Sequence, residues 1–245
     1  MAETIVLLHG FAGTHRTWDR VIVRLDSERY RPLAVDLRGH GTARDARPIG
    51  FVECCADVLA TAPERFVLCG YSMGGRVAQH VALAAPERVS RLVLVSTTAG
   101  LDDPEERARR LAADAELAAK VEHESIEDFI ARWRDQPVFA GDPPWLAAVA
   151  RADYRRNDPL ALAAALRGLS TGLMEPLWAR LASLRVPTVV IAGERDAKFR
   201  ALAERLASTV PEARLQIVPG AGHAVHLEAA EAVARAVTGD VTAAR

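Results

Sequence analysis

Phe66-Val67-Leu68-Cys69-Gly70-Tyr71-Ser72-Met73-Gly74-Gly75-Arg76-Val77-Ala78-Gln79-His80-Val81-Ala82-Leu83 is an apolar strand-like run, a glycine-flanked serine and a helix-like run in immediate succession. A chain that passes from strand to helix through five residues must turn sharply. Glycines at 70 and 74 remove the Cβ atoms that would clash in such a turn. The turn pushes the Ser72 side chain away from the backbone, and a serine hydroxyl becomes a useful nucleophile or base once an imidazole takes its proton. The bare pentapeptide is common, so its context carries the argument: strand before and helix after make it a nucleophile elbow.

The other groups that such a serine needs follow downstream. Val186-Pro187-Thr188-Val189-Val190-Ile191-Ala192-Gly193 reads as a buried strand running into Glu194-Arg195-Asp196, and Asp196 is the candidate orienting acid, with Glu194 close enough to compete. A last strand, Arg214 to Val218, empties into Pro219-Gly220-Ala221-Gly222-His223, where small residues let an imidazole reach over the sheet edge. His223 is the candidate base, and His226, three residues on, falls in the first turn of a terminal helix with a packing or solvent role. The chain order Ser, Asp, His is that of the α/β-hydrolases and differs from the two other familiar serine-triad orders.

Developing negative charge requires two aimed backbone N–H groups. Met73, after the serine, supplies one in this reading. Ile5-Val6-Leu7-Leu8 ends in His9-Gly10-Phe11-Ala12-Gly13, which makes Phe11 the second donor, while His9 braces the loop.

Strand-like and helix-like runs alternate: Trp18 to Leu25 helical, Leu33 to Asp36 strand, Phe51 to Ala62 helical, the elbow, then Arg91 to Ser96 strand. This predicts an α/β fold of the α/β-hydrolase kind, a mostly parallel sheet with helices on both faces. Between Ser96 and Val186 lie 89 residues, far more than a crossover needs. Helical periodicity over Pro104–Val121, Ile126–Trp133, Pro144–Arg155 and Pro159–Leu169 predicts an inserted helical lid at 101–178, flanked by the two parts of the core at 1–100 and 179–245.

Half of the 245 residues are hydrophobic, enough for one substantial core, and the net charge of −1 gives no reason to expect nucleic acid or an anionic membrane as partner. The start, Met1-Ala2-Glu3-Thr4 followed by a core strand, leaves no room for a signal peptide, no apolar run approaches a membrane span, and a cytoplasmic location is expected. Cys54, Cys55 and Cys69 have no metal-like spacing and read as small buried apolar residues. No metal or organic cofactor is called for, and the oligomeric state is left open.

His9 to Gly13, Asp36-Leu37-Arg38-Gly39-His40-Gly41, Gly70 to Arg76, Gln136-Pro137-Val138-Phe139 and Gly193 to Phe199 resemble the synthases of menaquinone biosynthesis that make 2-succinyl-6-hydroxy-2,4-cyclohexadiene-1-carboxylate. The likeness spans nearly the whole chain. Its particular marks are Arg76, the Trp133 to Phe139 segment and the Gly193 to Phe199 block. The resemblance implies elimination without net hydrolysis, with Ser72 as a base supported by His223 and Asp196, and a small, carboxylate-bearing substrate. Arg76, one helical turn past Ser72, can face the pocket as an anion clamp. The resemblance further implies contacts from lid residues: Trp133, Arg109 or Arg110, and Arg155 or Arg156, with Tyr71 of the elbow also in the binding set. Arg38 and Thr42 depart from the family's commoner proline and serine.

The alternatives are a carboxylesterase or carbon–carbon bond hydrolase using the same residues, and a ligand-binding receptor on a hydrolase scaffold. Polar demand separates the synthase from the esterase: arginines converging on Ser72 favour the synthase, an apolar lid the esterase.

Overall fold

A computed structural model describes residues 2–240. Six strands, β1 Glu3–Leu8, β2 Tyr30–Val35, β3 Phe66–Tyr71, β4 Val89–Val95, β5 Thr188–Gly193 and β6 Arg214–Val218, form one parallel sheet in the order β2-β1-β3-β4-β5-β6. The helices are α1 Asp19–Ile22, α2 Phe51–Thr61, α3 Met73–Ala84, α4 Pro104–Val121, α5 Ile126–Arg134, α6 Pro144–Tyr154, α7 Pro159–Gly168, α8 Trp178–Leu181, α9 Ala197–Thr209, α10 Val225–Glu228 and α11 Ala230–Thr238.

Side chains alternate across a strand, so each central strand feeds both faces of the sheet. Val6, Leu8, Leu68, Leu92, Leu94 and Val190 join α2, α3 and α9 in one apolar layer. Ile5, Leu7, Val67, Cys69, Val93, Val95 and Ile191 join Trp18, Val21, Val225, Val233 and Val237 in the other. Burial on both sides is why these strands read as unbroken hydrophobic runs. The three cysteines are buried and unpaired, and burial pushes the Cys54 thiol up to about 11.

The predicted Trp18–Leu25 helix is shorter than its pattern. A 3₁₀ turn at His15–Trp18, capped by the Thr14 side chain, gives way to the four-residue α1. Trp18 and Val21 are fully buried from those two turns, and Leu25 packs on the same cluster from the turn that follows α1. Helices α4 to α8 all fall between β4 and β5. They hold a smaller apolar cluster of Ala118, Val121, Phe129, Ile130, Leu162 and Leu166, which joins the loop after β1 through Phe11 and Ala12. Among the described residues no helix is long and apolar enough to cross a membrane.

Strand order reverses between β1 and β3, since the chain runs from β1 outward to β2 and returns to β3 on β1's other side. In open parallel sheets that reversal opens a crevice at the strands' C-terminal ends. The loops after β1 and β3, carrying Phe11 and Ser72, meet there.

Candidate active site

Ser72 links β3 to α3 at φ 51°, ψ −110°, a conformation that ordinary residues avoid. It is held from both sides: Ser72 N–H donates to the Val95 carbonyl (2.9 Å), and the Thr97 hydroxyl donates to the Ser72 carbonyl (2.7 Å). The flanking glycines are required by close approach. A Cβ on Gly74 would strike the Leu8 carbonyl oxygen, and one on Gly70 would lie 2.7 Å from the Gly75 Cα.

His223 Nε2 stands 3.3 Å from Ser72 Oγ, and His223 Nδ1 stands 2.6 Å from Asp196 Oδ2. His223 and Asp196 are buried, at 4% and 8% exposure. Asp196 Oδ1 also accepts the Phe199 N–H (3.2 Å), so one carboxylate both caps α9 and orients the imidazole. The Phe199 ring, centred 4.4 Å from that of His223, and the Tyr71 ring at 5.3 Å wall the imidazole in.

The other histidines have different surroundings. His9 Nε2 accepts the Leu37 N–H (2.9 Å) and Nδ1 donates to the Gly10 carbonyl (2.8 Å), tying the loop after β1 to the loop after β2 as a brace. His226 lies in α10, bonded to the Thr17 hydroxyl (2.7 Å) and packed on Tyr71. Burial and neighbouring His223 pull its pKa down to about 3.

Two cavities meet at Ser72. One, of about 430 Å³, is bordered by Ser72, His223, Asp196, Tyr71, Tyr154 and Phe139. The other, of about 580 Å³, is bordered by Ser72, Met73, Arg76, Thr97, Leu202 and Arg205. Phe11, Arg110, Trp133, Lys198 and Phe199 border both. Phe11 and Met73 thus sit beside the serine, and the Met73 N–H, as the first of α3, has no acceptor one turn back in the helix.

Arg76 is 8% exposed, donates to the Leu169 carbonyl (2.6 Å) and lines the second cavity. Burial, then nearby Arg110, draws its pKa down to about 9; a bound anion would oppose both effects. Arg110 borders both cavities and shares its Nε–H between the two oxygens of Asp114 (2.9 Å each). Arg109 lies outside them, beside Glu105. Trp133 packs on Phe11 with ring centres 4.7 Å apart, and its buried indole N–H has no partner among the described residues.

Arg155 does not reach Ser72. It is half-exposed and pairs with Glu127 (2.7 Å), because the buried face of α6 runs through Leu146, Ala150 and Asp153 and each further residue turns about 100° around the axis. Arg156 points to other cavities, beside Asp153. Tyr154 takes the wall position instead, its hydroxyl pushed up to about 12 by burial. Lys198, in the Gly193–Phe199 block but outside the expected binding set, borders both cavities and, among the described residues, has no acidic side chain within ion-pair distance. Arg38 is bonded to Asp57 (2.6 and 2.7 Å) and Thr42 to Asp36, both away from the Ser72 cavities.

A parallel sheet, a serine on a strained strand-to-helix turn, and a histidine and aspartate arriving after later strands define a class. Residues 5–236 match the model of the alpha/beta hydrolase family, and the chain belongs to that family. Within it the chain is similar to the 2-succinyl-6-hydroxy-2,4-cyclohexadiene-1-carboxylate synthase of Citrobacter koseri, 34% identical over 91% of this chain and 88% of that one. A Bacillus subtilis (strain 168) relative, provisionally given the same name, is 36% identical over 93% of this chain and 86% of its own. Among solved structures, MenH from S. aureus superposes with a TM-score of 0.90 at 29% identity, covering 97% of this chain and 92% of that one. An enol-lactonase from Burkholderia xenovorans LB400 gives 0.81 at 25% identity, covering 98% and 91%.

Proposed function

We propose that this protein catalyses the 2-succinyl-6-hydroxy-2,4-cyclohexadiene-1-carboxylate synthase reaction of menaquinone biosynthesis, releasing pyruvate from 2-succinyl-5-enolpyruvyl-6-hydroxy-3-cyclohexene-1-carboxylate. The observation that carries this reading is the placement of Arg76, Arg110 and Lys198 around the cavities that meet at Ser72. A substrate with several carboxylates needs such cations, whereas a simple ester does not. The cationic lining differs from the expected set, with Lys198 of α9 present and Arg155 and Arg156, just past the end of α6, absent. Of the three acids bordering the second cavity, Asp102 is paired with Arg205, Asp103 caps α4 and Glu106 lies in the first turn of α4.

In this mechanism Ser72, its proton drawn off by His223, removes the ring proton that lies between the succinyl carbonyl and the ring double bond. Asp196 holds the imidazole and stabilises it when charged. The electron pair delocalises onto the carbonyl oxygen, where the Phe11 and Met73 N–H groups stabilise it. As the pair returns, the ring double bond shifts, the carbon–oxygen bond to the enolpyruvyl group breaks, and pyruvate departs after taking a proton. Trp133 and Tyr71 form walls around the ring. Helices within 101–178 serve as the lid over a core formed by 1–100 and 179–245. The enzyme works in the cytoplasm, for which three unpaired buried cysteines are suited.

The likeness to an enol-lactonase keeps a hydrolase reading as the second choice, since the same serine could attack a carbonyl. Intact-protein mass measured during turnover separates the two. With the enolpyruvyl substrate the synthase releases pyruvate above background while Ser72 stays unmodified throughout; a hydrolase releases none above background there.

A further inference from the structure

We propose that Arg195 is a positioning residue that latches the 137–142 segment over the Ser72 cavity to the loop carrying His223. The proposal deepens the function above and rests on its assignment of Ser72 and His223.

The three residues before His223 are Gly220, Ala221 and Gly222, with Gly220 at φ 67°. Such a stretch has little side chain to anchor it and a large conformational freedom to lose. Apart from the turn bond from the Ala221 N–H to the Val218 carbonyl (3.3 Å), its anchors come from three residues. Arg195 N–H donates to the Ala221 carbonyl (2.9 Å) and Arg195 Nε–H to the Gly220 carbonyl (2.8 Å). Glu194 accepts the Gly220 N–H (2.9 Å) and Glu228 accepts the Gly222 N–H (2.8 Å). Arg195 Nη2 then closes the ring on the other oxygen of Glu228 (2.5 Å), whose side chain is 9% exposed.

The same guanidinium reaches in a second direction. Its Nη1 donates to the carbonyl of Gly141. Gly141 follows the Pro137–Phe139 turn that borders the Ser72 cavity, and the Phe139 ring lies 6.2 Å from that of His223. The next residue, Asp142, is locked in a buried pair with Arg134 (2.7 Å). One planar fork therefore bonds the His223 loop and the covering segment together, which a single-point ammonium cannot do. Because the Arg195 side chain is 39% exposed, the Gly141 bond can break to admit substrate while the His223 loop stays held. The covering segment 137–142 and the His223 loop thus share one anchor, the Arg195 guanidinium.

The test uses Arg195→Ala and Arg195→Lys in the full chain. Hydrogen exchange of 137–142 and 220–223, and kcat and KM for pyruvate release and for p-nitrophenyl acetate, are the readouts. Expected for Arg195→Ala is faster exchange in both segments, kcat about tenfold lower on both substrates, and KM raised for the enolpyruvyl substrate alone. Arg195→Lys keeps length and charge but not the fork, so it should stay within about threefold of the alanine variant; full rescue by lysine would overturn the proposal. Faster exchange in only one segment, or parental kcat on both substrates, would also overturn it. If the parent releases no pyruvate, the synthase reading fails while ester turnover and the exchange pattern still decide on the latch. Should Arg195→Ala not fold, Glu228→Gln, which keeps an acceptor for Gly222 but removes the charge facing Arg195, gives the same exchange readout.

Discussion

Asp196 Oδ2 lies 2.6 Å from His223 Nδ1, while Glu194, two residues earlier on the same loop, turns outward to the Gly220 N–H. Of the two acids, only Asp196 lies within hydrogen-bond distance of the imidazole. Asp196→Asn can still cap α9 but presents the wrong partner to the imidazole. We expect kcat to fall by roughly 10³–10⁴ with the melting temperature little changed, and Glu194→Gln to lose far less. Steady-state kinetics beside thermal melts check both.

Gly74 tests the elbow's packing. An alanine there must push its Cβ into the Leu8 carbonyl and to within 2.5 Å of that of His9. Backbone cannot yield as a flexible side chain can, so Gly74→Ala should cost about 2 kcal/mol or more in urea unfolding. A loss under ~0.5 kcal/mol would show that α3 can move away from β1 freely.

Anion recognition should divide the two candidate substrates. Lys198→Met and Arg76→Lys remove, respectively, an unpaired cation and a forked one from the cavity walls. Each is expected to raise KM for the enolpyruvyl substrate about tenfold or more while changing p-nitrophenyl acetate hydrolysis by less than about threefold. Equal losses on both substrates would remove these residues from carboxylate binding.

Buried histidines set an acid limit on stability. Folded His40 and His226 resist protonation until about pH 3, chiefly through burial, against an ordinary value of 6.5. Between those values the unfolded chain binds more protons, so stability falls as pH falls through that window, by at most about 1.4 kcal/mol per pH unit for each group. Urea midpoints should decline from about pH 6.5 downward. His40→Asn should flatten the decline, and an unchanged slope would contradict the assignment.

Much of this was legible in sequence because strong local signals coincide with the sheet. β6 begins and ends where the sequence reading sets it, from Arg214 to Val218; the elbow and the Asp196 loop each follow a fully buried strand, while the His223 loop follows the half-exposed edge strand β6. The bounds of α4 were equally plain, from Pro104 to Val121. What stayed hidden was which face α6 turns inward. In Pro144–Tyr154, alanines dilute the contrast between faces, so tertiary packing alone selects Tyr154 over Arg155. Lys198 was hidden differently: an exposed lysine at a helix start looks like any solvated one until the cavities on both sides of it are known. Arg195 is hidden because two of its three side-chain bonds go to main-chain carbonyls and the third to Glu228, 33 residues on, none of which marks the local sequence.

Pyruvate release from freshly prepared 2-succinyl-5-enolpyruvyl-6-hydroxy-3-cyclohexene-1-carboxylate, measured for the parent and a folded Ser72→Ala variant against the spontaneous background, tests the central claim most directly. The account predicts rapid release by the parent and a loss of about 10³-fold or more in the variant. Parental release at the background rate alongside ester cleavage, or undiminished release by Ser72→Ala, would contradict it.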